Sequence, residues 1–508
     1  MKFRFWPKRI KDTDPTANMS TSGFDFEKIG ENLTPNMRAL RLAMTMSDML
    51  LSMNVSANSV VSKALDITET YCKQPVHIDI NANILMLSQL RGIDKEPLTF
   101  IRPVALRKIN NMVVQEIQRL VYEIHNGQYS LEQAEAKLER IIKNTPHYPW
   151  WLTMLGNGGI VAGVSLMFTS SWHVILTTFV IGLAVDRLIA LMTKHAIPSF
   201  FRQAGASLFV TLSAAFLAFL SKSGFTFFDG MNPTLIVVGG IIMLVAGLTI
   251  VSALQDAIYD YYVTATAHIL KVGMLTTGIV VGILIGLYLA RMFGMGIAVS
   301  ATPLQLNELH FQVIGAGIAA GAYALATQTK FRALIWAAVV GGSALGLMYI
   351  ARHSGISVIP ASGIAAAFAG LIASFLSRLW QTPSSGIVAA GIVPLVPGLA
   401  IYTGLMQLIA YPTGDAMFTI GIGTLFSAVA TALAIAAGAS FGVMIGQPLR
   451  QKITHSRNIV PFANFMRRQL KFDRRLRLSR TALRHHPVSK AIVEAEPEED
   501  DSIKNGTI

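Results

Sequence analysis

Between residues 151 and 446 the chain carries only 10 Lys/Arg and 6 Asp/Glu, and its apolar residues come in long runs rather than in alternation. Runs of this length bury themselves in lipid, where a helix of about 20 apolar residues crosses a hydrocarbon core of about 30 Å and satisfies its own backbone hydrogen bonds. Ten such runs lie near 151–168, 172–192, 203–220, 233–254, 267–290, 311–327, 333–351, 355–377, 384–409 and 417–445. They predict a polytopic α-helical membrane protein of about ten transmembrane helices. The ninth is the least regular, because Pro394 and Pro397 each remove a backbone donor.

Residues 237–258 (VVGGIIMLVAGLTIVSALQDAI) recur at 388–409 (VAAGIVPLVPGLAIYTGLMQLI), with ten identities in twenty-two positions and no gap. Fainter echoes keep the same order: GIVAG at 159–163 with GIAAG at 317–321, and FLSK at 219–222 with FLSR at 375–378. Collinear matches at nearly constant separation point to an internal duplication, common among secondary transporters. Five spans per copy is an odd number, so the second copy enters the membrane in the opposite sense and the repeat is inverted. The expected division is a flexible N-terminus at 1–35, a cytoplasmic α+β domain at 36–150, membrane repeats at 151–300 and 301–446, and a basic then acidic cytoplasmic tail at 447–508.

Loop charge orients this arrangement. With both termini cytoplasmic, the inside holds Lys194, Arg202, Lys271, Lys330, Arg332, Arg378 and the basic tail, against Lys222, Arg291 and Arg352 outside. The N-terminal MKFRFWPKRIKDTD has no apolar core behind its basic residues, so it reads as neither signal nor transit peptide, which keeps residues 36–150 in the cytoplasm. The net charge of +13 concentrates between Arg450 and Lys490, where contact with anionic lipid is the expected use and nucleic acid is not. The acidic run Glu494–Asp501 reads as a solvated end. A lone Cys72 excludes an intrachain disulfide and a multi-cysteine metal site. No metal or other cofactor is expected, and homo-oligomerisation stays open. In the soluble region, helical periodicity marks Met37–Leu51, Val104–His125 and a helix from Ser130, while Val76–Leu87 and Pro97–Ile101 look strand-like.

Several motifs then carry a family likeness: Asp48-Met49-Leu50-Leu51-Ser52 followed by Ser56-Ala57-Asn58-Ser59, His77-Ile78-Asp79-Ile80, Ile197-Pro198-Ser199-Phe200-Phe201, Ala246-Gly247-Leu248 with Leu254-Gln255-Asp256, and Val396-Pro397-Gly398-Leu399-Ala400-Ile401-Tyr402. Over roughly 37–446 the chain resembles the threonine/serine exporter family, in which a hydrophilic N-terminal domain precedes ten predicted spans. The resemblance implies export of threonine, serine and other small solutes from the cell membrane, driven by proton-motive force. The chain departs from the family pattern at Met53-Asn54, Asp260 and His268. A related branch splits the two halves between polypeptides and is associated with dicarboxylate export; the fused chain favours the amino-acid branch.

The site candidates follow from charge and position. A carboxylate within the membrane costs about 2.5–3.5 kcal/mol, so Asp256, beside Gln255, reads either as a proton or ammonium acceptor or as a solvated carboxylate at a helix end. Its repeat partner is Gln407, which leaves one half without a titrating group. Pro394, Pro397 and Gly398 mark a broken helix whose freed N–H groups suit a substrate carboxylate, or else a simple kink. Asp186 reads as facing a cavity; Arg187 snorkels, and neighbours in sequence need not pair. Gly247, Thr249, Ser252, Tyr402 and Thr403 on the repeated segments suit a hydroxylated amino acid, though Ser and Thr also serve packing. Gly278, Gly282 and Gly286 have the spacing of close helix approach. In the N-terminal domain Asp48, Ser52, Ser56, His77 and Asp79 are the candidates for a hydrolase-like site, but no nucleophile elbow, metal cluster or phosphate loop accompanies them. The expected function is alternating-access export of small neutral amino acids. A dicarboxylate exporter or channel, and a membrane-anchored hydrolase, are the alternatives.

Overall fold

A computed structural model describes residues 34–91, 96–223, 233–242, 244, 247–295, 305–379, 384–410 and 415–452. The N-terminal tail, the acidic run and most of the basic tail lie outside these residues. The soluble region opens with α1 (Pro35–Ser52), where Pro35 needs no donor at the first helical position and Thr34 Oγ1 accepts from the Met37 N–H at 3.4 Å. There follow α2 (Ala57–Tyr71), β1 (Val76–Asn81), β2 (Ile84–Gln89), β3 (Leu98–Pro103), α3 (Asn111–His125) and α4 (Leu131–Lys143). The sheet is antiparallel in the order β1-β2-β3, with Val76 opposite Gln89 and Ile84 opposite Pro103. The strand expected over 76–87 is thus a hairpin. It turns at Ala82, whose φ of 55° lies in the left-handed region, so no glycine announced it. Helix α2 was not expected at all. Helix α3 starts at Asn111 rather than Val104, fixed by Asn110, whose side chain accepts from the N–H groups of Met112 and Val113. One apolar cluster, running from Leu40 to Leu138, joins these elements.

The apolar region comprises α5 (Trp150–Leu166), α6 (Trp172–Lys194), α7 (Ser199–Lys222), α8 (Pro233–Ile242), α9 (Gly247–Ile258), α10 (Tyr262–Met292), α11 (Leu309–Ala326), α12 (Phe331–His353), α13 (Val358–Leu379), α14 (Ser384–Ile392), a 3₁₀ turn at Val393–Leu395, α15 (Gly398–Ala410) and α16 (Ala416–Lys452). Seven of the described helices are long and apolar enough to cross a membrane, and α14 with α15, bent by 45° at the prolines, makes eight. The chain is therefore a polytopic helical membrane protein. The tally falls short of ten because α5 has 17 residues and because α8 ends at Ile242 while α9 begins at Gly247.

The same order of elements occurs twice: a short helix, two long ones, an interrupted pair and a final long helix. Pairings recur as well. Gly278 and Gly286 of α10 approach α7 so closely that a Cβ would lie 2.7 Å from the Phe200 carbonyl and 2.8 Å from Thr211 Cβ, and one on Gly282 would collide with the Ala204 carbonyl. Exactly 160 residues on, Gly438, Gly442 and Gly446 of α16 meet Gly363, Ala367 and Ser374 of α13 in the same way. Contact between the first helices of the two halves is antiparallel. Gly156 faces Ala322 and Ala326, whereas Gly163 faces Gly315 and Ala319. At one end the Tyr148 hydroxyl donates to the Thr329 carbonyl at 3.0 Å, and at the other the Asn307 N–H donates to the Met167 carbonyl at 2.9 Å.

A methyl group has room on some glycines of α16 and not on others. Gly442→Ala is expected to lower the thermal midpoint in detergent, in line with the roughly 1–3 kcal/mol cost of overpacking, whereas Gly423→Ala, with nothing within 4 Å, leaves it unchanged. Equal melting of the two variants would show that the α13–α16 approach is not tight.

Candidate functional site

The interrupted helices meet in the middle of the apolar region. In the second half the break follows from the two prolines: Val396, preceding Pro397, is extended (φ −60°, ψ 130°), and α15 restarts with the Ile401 N–H donating to the Pro397 carbonyl at 3.0 Å. In the first half, Gln203 of α7 reaches the interruption and its Nε2 donates to the Leu244 carbonyl at 3.1 Å. That hydrogen bond answers a carbonyl that lipid would leave unsatisfied.

Each C-terminal half-helix packs into the other half's core. Tyr402 of α15, with Leu399, lies in the cluster of Val185, Val210, Val237, Ile241 and Ile279. Reciprocally, Val251 of α9, with Ile250 and Leu254, lies among Ala316, Val340, Ala369 and Ala436. The open space at this crossing is about 10 Å³, bounded by Ile241, Thr276, Ile279 and Tyr402, and holds about one water molecule. Gly247 opens α9, with Thr249 half-buried two residues on. Gly398 opens α15, and Pro394 stands against α12, with its Cγ 3.6 Å from a Cβ placed on Gly341. Thr403 and Gln407 are buried; Gln407 accepts from the Thr424 hydroxyl at 3.3 Å. Gln255 Nε2 points to Ser440 Oγ at 3.4 Å, joining α9 to α16.

Asp256 does not face this crossing. It is 2% exposed, accepts from the Ala57 N–H at 3.3 Å through Oδ1, and has His268 Nδ1 3.4 Å from Oδ2. Ala57 is the first residue of α2, and the Ser56 side chain makes no cap there, so Asp256 supplies from α9 the cap that α2 lacks. Next to it, Thr264 Oγ1 accepts from the Ala82 N–H at 3.0 Å and donates to the Ile80 carbonyl at 3.2 Å, docking the β1–β2 turn on α10. Burial, helped by the Asp79 and Asp256 carboxylates, pushes the Tyr261 hydroxyl up to about 12. A second anchor binds the other half: Asn111 Nδ2 donates to Thr327 Oγ1 at 3.1 Å and Thr329 Oγ1 at 2.9 Å, and Lys330 pairs with Glu116 at 3.2 Å.

Asp186 and Arg187 do pair, against expectation. The guanidinium folds back to Asp186 Oδ2 and covers the Trp150 ring at 4.6 Å, while Asn157 Nδ2 donates to Asp186 Oδ1 at 2.7 Å. A flexible Arg stem bridges what helix geometry separates. The N-terminal candidates make separate contacts. Asp48, raised above the ordinary carboxylate range by burial, faces Arg102 at 3.4 Å and Arg107 at 3.9 Å. Ser52 Oγ donates to the Met49 carbonyl, Asp79 accepts from the Ile80 N–H and Asn81 Nδ2, and His77 lies on the exposed face of β1. A cleft of about 830 Å³ opens between α3, α4 and Lys330, with Lys137 held by Glu123 at 2.6 Å. No group of three or more metal-ligating side chains occurs among the described residues. Sequence reasoning missed Ala57, Thr264 and Gln203; only a glutamine within an apolar run signalled the last.

A polytopic membrane bundle with two interrupted helices crossing at its centre defines a transport protein. A family model for threonine/serine exporters matches residues 41–290, and a second, described as threonine/serine exporter, matches 312–445. The chain is similar to the "Probable threonine/serine exporter" of Mycobacterium tuberculosis, at 29% identity over 81% of this chain and 77% of that one. It is also similar to the threonine/serine exporter of Corynebacterium glutamicum, at 27% identity over 81% and 83%. No solved structure matches. The chain belongs to the threonine/serine exporter family, whose members are named as transporters rather than enzymes.

The Asp256–Ala57 bond has a single donor that proline lacks. Ser56 already has ψ 144°, which suits a residue before proline, and proline is tolerated at the first helical position, so Ala57→Pro removes the donor while keeping the backbone of the helix start. Hydrogen exchange over residues 58–68 is expected to rise roughly tenfold or more, the equivalent of about 1.5–3 kcal/mol for a hydrogen bond to a charged group, with α7 and α10 unchanged. Unaltered exchange would show that Asp256 does not hold α2.

Proposed function

We propose that this chain exports small neutral amino acids, threonine and serine, by alternating access between two inverted five-span halves, drawing on the proton-motive force. The observation that carries the reading is the exchange of half-helices: α9 sits in the second half's core and α15 in the first half's. A movement of one half relative to the other therefore displaces both walls of the crossing at once. The antiparallel contact of α5 with α11, the recurring element order and the two glycine triplets support inverted repeats over 151–300 and 301–446. The ten spans are then α5, α6, α7, α8 with α9, and α10, followed by α11, α12, α13, α14 with α15, and α16.

Orientation is supported by the N-terminal contacts. The α+β domain within 36–150 touches the α9–α10 connection, the α11–α12 connection and Gly386 at the start of α14. Ten spans put all three on one side, the side that carries Lys194, Lys330 and Arg332, which is the cytoplasm under the charge rule. Family relatives named for threonine and serine supply the substrate class. A proton moving with the field contributes about 2.3 kcal/mol per 100 mV. Asp256 and His268 are the pair placed to exchange a proton at the cytoplasmic end of α9, where the release of α2 exposes the carboxylate.

Cells loaded with threonine-containing dipeptides test this directly. The wild-type protein is expected to accelerate threonine and serine efflux several-fold, an uncoupler to abolish the gain, and Asp256→Asn to reduce it at least tenfold. Efflux that ignores the uncoupler would remove proton coupling, and competition by succinate would transfer the assignment to dicarboxylates.

A further inference from the structure

The cleft of about 830 Å³ beside Lys330 takes no part in the crossing, and its charges are not all answered. Lys137 is held by Glu123 at 2.6 Å, Glu132 faces Arg38 at 3.5 Å, and Lys330 pairs with Glu116 Oε1 at 3.2 Å. Three groups are left over. Among the described residues the Arg140 side chain, exposed on α4, has no ion pair or hydrogen bond, nor has the Asn144 side-chain amide four residues on, and Glu116 keeps Oε2 unused. The backbone sets these groups abreast. Helices α3 and α4 run antiparallel, tied at one end by Glu123 with Lys137 and at the other by Asn110 Nδ2, which donates to the Pro146 carbonyl at 2.9 Å. Glu116 stands midway between Asn110 and Glu123, so it lies level with the C-terminal end of α4, where Arg140 and Asn144 share one face. Met112 and Ile141 add apolar lining at the same level. A spare carboxylate oxygen on one wall and a spare guanidinium on the other complement a molecule that carries both charges a few bonds apart.

We propose that this cleft is a regulatory site for a free α-amino acid, whose carboxylate is taken by Arg140 and Asn144 and whose ammonium is taken by Glu116 Oε2. The binding chemistry stands without the exporter reading; the choice of threonine as ligand and the effect on flux rest on it. A guanidinium and a carboxylate meet as a two-pronged, charge-assisted pair, which selects the acid end of the ligand. Glu116 selects the other end, because a dicarboxylate would set its second charge against Glu116 and a simple carboxylate would leave Oε2 unmet. Occupancy is read through Lys330, the residue that precedes α12. An ammonium on Glu116 shares that carboxylate with Lys330, and so loosens one of the ties between the soluble domain and the α11–α12 connection. The remaining tie, from Asn111 to Thr327 and Thr329, keeps the domain in place while this happens.

Hydrogen exchange on the full-length protein in detergent locates the ligand, because the cleft and the crossing lie on different helices. Threonine is expected to slow exchange over residues 140–144 about threefold or more. Threoninol, which lacks the carboxylate, and N-acetylthreonine, which lacks the ammonium, should leave it unchanged. Arg140→Gln removes an exposed side chain without partners, so its melting temperature should match the wild type, while the threonine concentration for half-protection rises about tenfold, the loss of one charge-assisted contact. In proteoliposomes, efflux by the wild type is expected to rise with threonine more steeply than a single site allows, and efflux by Arg140→Gln to follow a single-site curve. Equal protection in wild type and Arg140→Gln, or none in the wild type, overturns the site. Equal steepness of the two curves with protection intact overturns its regulatory role. A wild type that moves no threonine overturns the exporter reading instead, and protection of α4 then decides the cleft by itself.

Discussion

Backbone polar groups freed inside a hydrocarbon layer must find partners within the protein, and the architecture is arranged around that requirement. Two helices stop midway, at Ile242 and at the 3₁₀ turn around Pro394. Such interruptions survive only where other helices enclose them. The enclosure is reciprocal: α15 is buried by the first half and α9 by the second. Each of the two stretches therefore relies on the other to enclose its interrupted helix. Gln203 shows the requirement in one bond, since it crosses from an unbroken helix to the Leu244 carbonyl.

Close packing supplies the enclosure. Lipid gives no hydrophobic drive for helices to associate, so contact area and approach distance must do so, and glycine at every fourth position brings backbones together. The triplets 278/282/286 and 438/442/446 each clamp the last helix of a half to its third. The result is two rigid pairs, α7 with α10 and α13 with α16. Between them stand the interrupted helices, whose cavity is small enough to be collapsed in this conformation. Motion of rigid pairs about a soft centre is the form that a transport cycle takes in such folds.

The soluble domain is tied to the apolar helices at several points. Asp256 on α9 caps α2, and Thr264 on α10 holds the β1–β2 turn, while Asn111 grips the α11–α12 connection of the other half. The N-terminal elements thus contact both the α9–α10 and the α11–α12 connections. Asp256, read as a proton or ammonium acceptor or as a helix-end carboxylate, lies against Ala57 and His268. Its repeat partner Gln407 makes no such contact; it is held by Thr424 within its own half. The asymmetry in sequence matches an asymmetry of neighbours, since the chain has one soluble domain and two repeats for it to choose between.

Much of the fold was legible in the residues because its signals are local. Low charge over 151–446 fixed the membrane class, and Pro394 and Pro397 announced one interruption. The 151-residue offset pointed to a duplication, and Ser130 marked the start of α4. The hairpin at Ala82 escaped notice because a non-glycine residue took the left-handed turn, and the first half's interruption escaped because Met243 and Ala246 stand where the second half has prolines. Sequence by itself thus determined the solvent the chain folds in and the family, both of which are set by composition and order. Only the tertiary structure decided which side chains meet: that Asp256 finds Ala57 199 positions away, that Arg187 folds onto Asp186, and that Gln203 reaches the Leu244 carbonyl. Those pairings depend on how close helices approach and which face each presents, and neither quantity is written in any stretch of chain shorter than the whole bundle.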